Sequence, residues 1–302
     1  MKSTARSHAR RSALLALTAL FVAPACGGGD SSGKGASETI ANVGSDTMLQ
    51  LAMAWSETYK ETVPDVNVEV NGGGSGVGIA GLINGTVDLA NSSRAFEEKE
   101  AAELEAKRGV KPNEFMVGYD ALSIYVHKDN PLSEISMEQL GEIYKADGKI
   151  RKWSELGVTS LPGGKGDEIV VVSRQNNSGT HHYFKEAVVG KKNEQRPDTV
   201  NQNGSADVVN LVGTTPNAIG YSGMGYRTDA VKVLKVSKTT GEPAVAPSIE
   251  STLDKSYPIS RPMFVYTAGT PPPHIQHYID WLLSDKGQQV LKDHGYVPLP
   301  RQ

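Results

Sequence analysis

The sequence predicts an α/β fold of largely parallel strands, divided into two lobes. Strand-like and helix-like segments alternate from about Thr39 onward, the signature of strands joined by crossover helices. Two unusually long extended runs, near 115–127 and 257–267, interrupt that alternation. The chain's 302 residues, 38% of them hydrophobic, suffice for one large or two medium domains with ample core. If the two long runs are crossing strands, residues 38–119 and 265–302 form one lobe and 120–264 the other. Composition leaves a single continuous sheet open as the alternative.

The elements follow in order. "TIANVG" reads as a short strand. From Thr47 to Thr62, Met48, Leu51, Ala52, Trp55 and Tyr59 recur at helical spacing, and Pro64 closes that helix. "VNVEV" alternates as a strand, and the glycine-rich turn "NGGGSGVG" leads into a short helix through Ile83. "VDLANS" is the next strand. Glu97 to Arg108 is helical, with acids first and bases last, as the helix dipole favours. The long run "EFMVGYDALSIYVHKDNP" stops at Asn130-Pro131, and Ser136 caps a helix reaching Ala146. "EIVVVSR" is a buried strand. The helix marked by Tyr183, Phe184, Ala187 and Val188 ends at Gly190. "NAIGYSG" and "VKVLKV" are strands, "YPISRPMFVYT" is the second long run, and a helical pair closes near His294.

The first 37 residues are read differently. Lys2, Arg6, Arg10 and Arg11 precede an uncharged apolar run, Ala13 to Ala25, too short to span a bilayer. This is the pattern of an export signal over residues 1–25. Ala23-Pro24-Ala25 fits ordinary cleavage; Cys26, the only cysteine, fits a lipid attachment point. Residues 26–37 form a polar tether of the kind a lipid anchor would need. With one cysteine there is no intrachain disulfide.

The formal net charge of −3 carries no basic excess, so nucleic acid is not expected as a partner and any charged site is local. Four strand-to-helix junctions share equipment for such a site. They are Gly44-Ser45-Asp46-Thr47-Met48, Gly73-Gly74-Ser75-Gly76, Asn91-Ser92-Ser93-Arg94, and Arg174 with Ser178-Gly179-Thr180. A helix start has about four N–H groups without internal partners and roughly half a positive charge. Hydroxyls add rotatable donors, and glycine lets the backbone come close. One such junction is a helix cap. Four of them, two with arginine, point to donors converging on an oxyanion.

Rival chemistries fit less well. Gly76-Val77-Gly78-Ile79-Ala80-Gly81 matches G-x-G-x-x-G, but "NGGG" separates it from the strand that should end on its first glycine. No G-x-x-x-x-G-K-[ST] is present, and "GGSGV" lacks the last glycine of a nucleophile elbow. Ser178 with His181 or His182 as base lacks an orienting acid. The paired histidines carry no spaced ligand set, so neither a metal nor another cofactor is expected.

Together, "VGSDTM", "NGGGSGVGIAGLINGTVDLANSSR", "SRQNNSGTHHYF", "NAIGYSGMGY" and "YPISRP" make the chain from about Ile40 onward resemble the phosphate-binding proteins that feed bacterial ABC importers. The resemblance implies a type II periplasmic-binding fold, two lobes joined by two hinge strands. It implies that Thr47, the N–H of Met48, Ser75, Ser93 and Arg94 hold inorganic phosphate from one lobe. Arg174, Ser178, Gly179 and Thr180 would hold it from the other. Ser93 stands where some members of the family place an aspartate. The resemblance further implies a non-enzymatic monomer, exported to the periplasm or cell surface, anchored through Cys26 and docking on a membrane permease. A receptor for sulfate or molybdate, or a secreted phosphatase, remains the alternative.

Overall fold

The computed structural model describes residues 38–164 and 166–300. The export signal, the tether and Cys26 lie outside them.

The chain first builds β1 (Glu38–Gly44), α1 (Leu49–Thr62), β2 (Val66–Asn71), α2 (Ser75–Asn84), β3 (Leu89–Ser92), α3 (Glu98–Arg108) and β4 (Pro112–Ala121). It continues through β5 (Ser123–His127), β6 (Glu134–Ser136), α4 (Met137–Tyr144), β7 (Val170–Arg174), α5 (Gly179–Phe184), β8 (Val200–Gln202) and α6 (Ser205–Thr214). Then come β9 (Ala218–Ser222), β10 (Val231–Val233), β11 (Lys235–Ser237), α7 (Ile249–Leu253), β12 (Ser260–Ala268), α8 (Pro273–Leu283) and α9 (Asp285–Asp293). One five-stranded sheet runs β2-β1-β3-β12-β4, another β10-β5-β9-β7-β8, and β11 pairs with β6.

Each sheet has its own core, which is why there are two lobes. Leu51, Trp55 and Tyr59 sit one helical turn apart on the buried face of α1, with Ala52 beside them. Leu51, Trp55 and Tyr59 pack with Ile40, Val265, Ile279 and Leu282. In the other lobe Ile124, Leu140, Tyr144, Val171, Phe184 and Tyr221 pack together. There the rings of Phe184 and Tyr221 stack 3.8 Å apart. Ser136 caps α4 by accepting from the N–H of Gln139, whose side chain accepts from Ser136 N–H in return.

The strands are less uniformly parallel than the sequence suggests. β1 runs parallel to β2 and β3, and β7 to β8 and β9. β12 is antiparallel to β3 and β4, and β5 to β9 and β10. A parallel pair needs a long crossover. Only Leu122 separates β4 from β5, so these strands come without one. The apparent single strand "VKVLKV" also divides: β10 joins β5, β11 joins β6, and Leu234 between them donates to Ile124 O at 2.9 Å.

The two long extended runs are where the chain passes between sheets. It leaves the first at Leu122 and returns just before Ser260. The crossings lie side by side, with Leu122 N donating to Ile259 O at 2.8 Å. The sequence-based division between 264 and 265 therefore falls inside β12.

Candidate anion-binding site

The strand-to-helix junctions meet between the lobes. Thr47 sits in the turn between β1 and α1, and Thr180 is the second residue of α5. Both are buried, and their hydroxyls are 2.6 Å apart. Ser45, Ser75 and Ser93 form a second knot beside them. Ser45 Oγ donates to Ser93 Oγ at 2.9 Å, Ser93 N donates to Ser75 Oγ at 3.1 Å, and the Ser75 and Ser93 hydroxyls are 3.4 Å apart.

Gly179 closes this knot from the opposite lobe. A Cβ there would overlap Ser75 Oγ and lie 2.9 Å from Ser93 Oγ. Only glycine lets the α5 backbone come this near. The N–H groups of Gly179 and Thr180 belong to the first helical turn, which offers them no internal acceptor. Ser178 is the N-cap of α5; its Oγ accepts from His181 N at 3.3 Å and keeps its own proton to donate. Gly74 needs its glycine for another reason, since φ is 95° there. The same turn meets Asn177 of the other lobe: Asn177 Nδ2 donates to Gly73 O at 2.8 Å, and Gly76 N to Asn177 O at 3.0 Å.

Two buried arginines flank the hydroxyls. Arg174, at the end of β7, donates through Nη1 to Ser205 Oγ at 2.9 Å. Its Nη2 donates to Asp46 Oδ2 at 3.0 Å and Asn203 O at 2.8 Å. Its Nε is buried and without a hydrogen-bond partner. Burial lowers the Arg174 pKa, with Asp46 pulling the other way, and the group stays cationic. Arg261, on β12, pairs with Asp120 through Nε at 3.2 Å and Nη2 at 2.8 Å. Nη1 donates to Ser93 O at 3.1 Å. Nη2 also reaches Thr180 Oγ1 at 2.9 Å and Thr47 Oγ1 at 3.3 Å.

The residues singled out in the sequence divide on this geometry. Thr47, Ser75, Ser93, Gly179 and Thr180 converge, with Ser178 as the cap beneath and Arg174 alongside. Met48 belongs to the same turn, but its N–H already donates to Ser45 O at 3.0 Å and its side chain is core. Arg94 is not brought in. Its fork is held bidentately by Glu100 at 2.8 and 2.7 Å, and Nη1 also donates to Ala95 O. A carboxylate at the start of α3 satisfies that guanidinium better than the hydroxyl knot could.

Asp120 and Arg261 are not singled out by the sequence, whereas Ser45 stands in the first of the four junctions without being assigned to the anion. Arg261 does carry a signal in the sequence: it is a lone cation inside the apolar run "YPISRPMFVYT", as Arg174 is at the end of "EIVVVSR".

A cavity of about 930 Å³ adjoins the knot. It is lined by Ser93, Arg94, Glu97, His182, Tyr183 and Arg261, among others. Glu97 and His182 approach one another across the lobes at 3.8 Å. Among the described residues no cluster of His, Cys, Asp and Glu could hold a metal ion, and no helix is long and apolar enough to cross a membrane.

Two lobes on two crossings, with buried donors gathered between them, define a ligand-binding protein of the periplasmic type. The model of the PBP superfamily domain matches residues 30–286. Phosphate-binding protein PstS of Pseudomonas aeruginosa (strain PAO1) is 37% identical over 276 residues, covering 88% of this chain and 84% of that protein. PstS of Bacillus subtilis (strain 168) is 31% identical, covering 95% and 92%. A crystal structure of a putative phosphate ABC transporter substrate-binding protein from Clostridium perfringens, with bound phosphate, matches at a TM-score of 0.76 and 30% identity. It covers 87% of this chain and 100% of that one. The chain belongs to the PBP superfamily and, within it, to the family of PstS phosphate-binding proteins.

Proposed function

We propose that this protein is the phosphate receptor of an ABC importer, binding inorganic phosphate between its lobes and releasing it unchanged. The observation that carries the reading is the meeting of Thr47 and Thr180 hydroxyls, one from each lobe, on the same guanidinium nitrogen of Arg261. An oxyanion loses its hydration on burial, a large cost unless each oxygen finds donors. Hydroxyls, helix-start N–H groups and a guanidinium supply them, each charge-assisted bond contributing about 1.5–3 kcal/mol.

Residues 38–121 with 260–300 would be one lobe and 123–259 the other. Thr47, Ser75 and Ser93 hold the anion from the first, Gly179 and Thr180 from the second, and Arg174 contributes its Nε. Neither lobe alone completes the cage. The anion therefore binds the closed form more tightly and shifts the population toward it. The closed form docks on a membrane permease, and the receptor acts as a monomer. Lipid on Cys26 would hold the receptor at the membrane; Cys26→Ser should then move the protein from the detergent phase to the aqueous phase.

Ser93 gives a specific reason to examine other anions. A hydroxyl can donate to a bare oxygen or accept from a protonated one, so it does not repel sulfate as a carboxylate would. Calorimetry with phosphate, sulfate and molybdate, beside a steady-state assay on a phosphomonoester, tests the reading. Phosphate should bind and the ester should persist. Tighter binding of sulfate or molybdate, or turnover of the ester, would replace it.

A further inference from the structure

We propose that Arg261 is the main cationic contact of the bound anion and that Asp120 is its positioning residue. The inference rests on the oxyanion-receptor reading above and deepens it. The two buried arginines are similarly secluded, and each has one carboxylate partner. They differ in where the fork points. The Nη groups of Arg174 are turned toward Asn203, Ser205 and Asp46, leaving Nε as its one nitrogen without a partner. Arg261 Nη2 lies among the hydroxyls themselves, with Thr180 and Thr47 as neighbours. A hydroxyl that accepts from Arg261 still has a proton to give. One threonine proton is engaged in the 2.6 Å contact between the hydroxyls, and an anion that parts the pair meets both hydroxyl protons and the guanidinium edge together.

Asp120 fixes that edge. It faces Arg261 directly across the β4–β12 ladder and is fully buried. Oδ2 accepts from Nε and Nη2, while Oδ1 accepts from Met224 N at 3.1 Å. The Tyr183 ring covers the guanidinium, 5.4 Å from its carbon. Rotation of the fork would break several of these contacts at once.

The location adds the functional consequence. β4 and β12 carry the chain to and from the two crossings, and Arg261 borders both lobes at once. It touches the β1–α1 turn through Thr47, the end of β3 through Ser93 O, and α5 through Thr180. Its strand anchor survives lobe opening, whereas the threonine pair does not. Arg261 is therefore the contact an arriving anion can make before closure. It also lines the 930 Å³ cavity beside the knot, the side from which an anion can reach it.

The test compares full-length wild type with Arg261→Gln, Arg261→Lys, Arg174→Gln and Asp120→Asn. Inorganic phosphate is the probe, read by calorimetry and by the ³¹P resonance of the bound ion. Arg261→Gln should weaken binding by at least about 100-fold, and more than Arg174→Gln does. Arg261→Lys should bind about 10-fold more weakly, with a shifted ³¹P resonance, because an ammonium does not reproduce the fork. Asp120→Asn should weaken binding and move that resonance too, which a loss of fold stability alone would not do. If Arg261→Gln fails to fold, Arg261→Lys decides: wild-type affinity with an unmoved resonance overturns the proposal. Arg261→Gln within threefold of wild type, or a larger loss in Arg174→Gln, overturns it as well. Wild type that ignores phosphate would instead overturn the underlying reading.

Discussion

Thr47 and Thr180 are 133 residues apart in sequence, and their hydroxyls are 2.6 Å apart in space. Nothing local brings them together: one lies in the turn after β1, the other in the first turn of α5. The contact bridges the two lobes, so the opening proposed above would part it. Valine matches threonine in shape and lacks the hydroxyl, so Thr180→Val isolates the polar contribution. It leaves Thr47 and Arg261 short of a partner and removes one donor from the cage. Anion affinity should fall by about 1–3 kcal/mol, with little change in the melting temperature of the unliganded protein. Calorimetry giving wild-type affinity for Thr180→Val would remove Thr180 from the cage.

Gly179 supplies a steric counterpart. A methyl group there overlaps Ser75 Oγ and crowds Ser93 Oγ, both from the opposite lobe. It meets neither once the lobes part. The backbone of the first helical turn accepts alanine, and replacing glycine there tends to stabilise a fold by about 0.4–1 kcal/mol. Gly179→Ala should therefore melt no lower than wild type, yet bind the anion at least about tenfold more weakly, a change of about 1.4 kcal/mol. Small-angle scattering should find it more extended in the presence of phosphate. Compact scattering with undiminished affinity would show that so close an approach is not required.

Asp46 and Arg174 join the lobes through charge. Asp46 Oδ1 accepts from Gly73 N at 2.8 Å, and Oδ2 accepts from Arg174 of the other lobe at 3.0 Å. Removing one partner of a buried ion pair costs about 3–5 kcal/mol. The cost is smaller here, because the Asp46 side chain keeps 14% of its surface in contact with solvent. Opening the cleft lets Arg174 regain water, so the cost falls on closure and spares the fold. Asp46→Asn should bind phosphate at least fivefold more weakly, about 1 kcal/mol, while its denaturation midpoint without ligand stays near wild type. A variant that unfolds far more easily but binds normally would make the pair purely structural.

What the sequence disclosed, and what it hid, follows from the range of each interaction. Strands and helices were legible because periods of 2 and about 3.6 are written in neighbouring residues. The crossings were legible because a strand that changes sheets must be long or doubled. The junction hydroxyls were legible as residue types, since helix starts recruit them. Which junctions converge was not. Arg94 and Arg174 look alike in sequence, each following a strand and adjoining serine. They part company because Glu100, in the first turn of α3, captures Arg94. The N–H of Met48 is consumed by its own turn, a local event that residue identity does not reveal. Arg261 and Asp120 were hidden differently: their partnership is set by strand register, Arg261 opposite Asp120, across 141 residues of chain.

His181 gives the site a pH signature that is independent of the ligand. Burial pushes its pKa down from 6.5 to about 4, with the nearby charges of His182, Lys185 and Arg174 acting in the same direction. The ring lies 3.5 Å from Ser173 Oγ, which Gln195 Nε2 and Tyr221 OH also approach at 2.7 and 2.8 Å. In the unfolded chain the imidazole takes up a proton as pH falls through about 6.5. In the folded protein it stays neutral until about 4. Between those values the unfolded state binds more protons, so stability declines as pH falls and is restored above about 6.5. Carboxylates add slopes of their own, which a variant can subtract. His181→Asn should be less stable than wild type at neutral pH, because it loses the buried ring. The gap should narrow steadily as pH is lowered from about 6.5 to about 4. Urea midpoints measured in parallel across that interval decide the matter. A gap that holds constant would mean that the His181 ring titrates alike in the folded and unfolded chains.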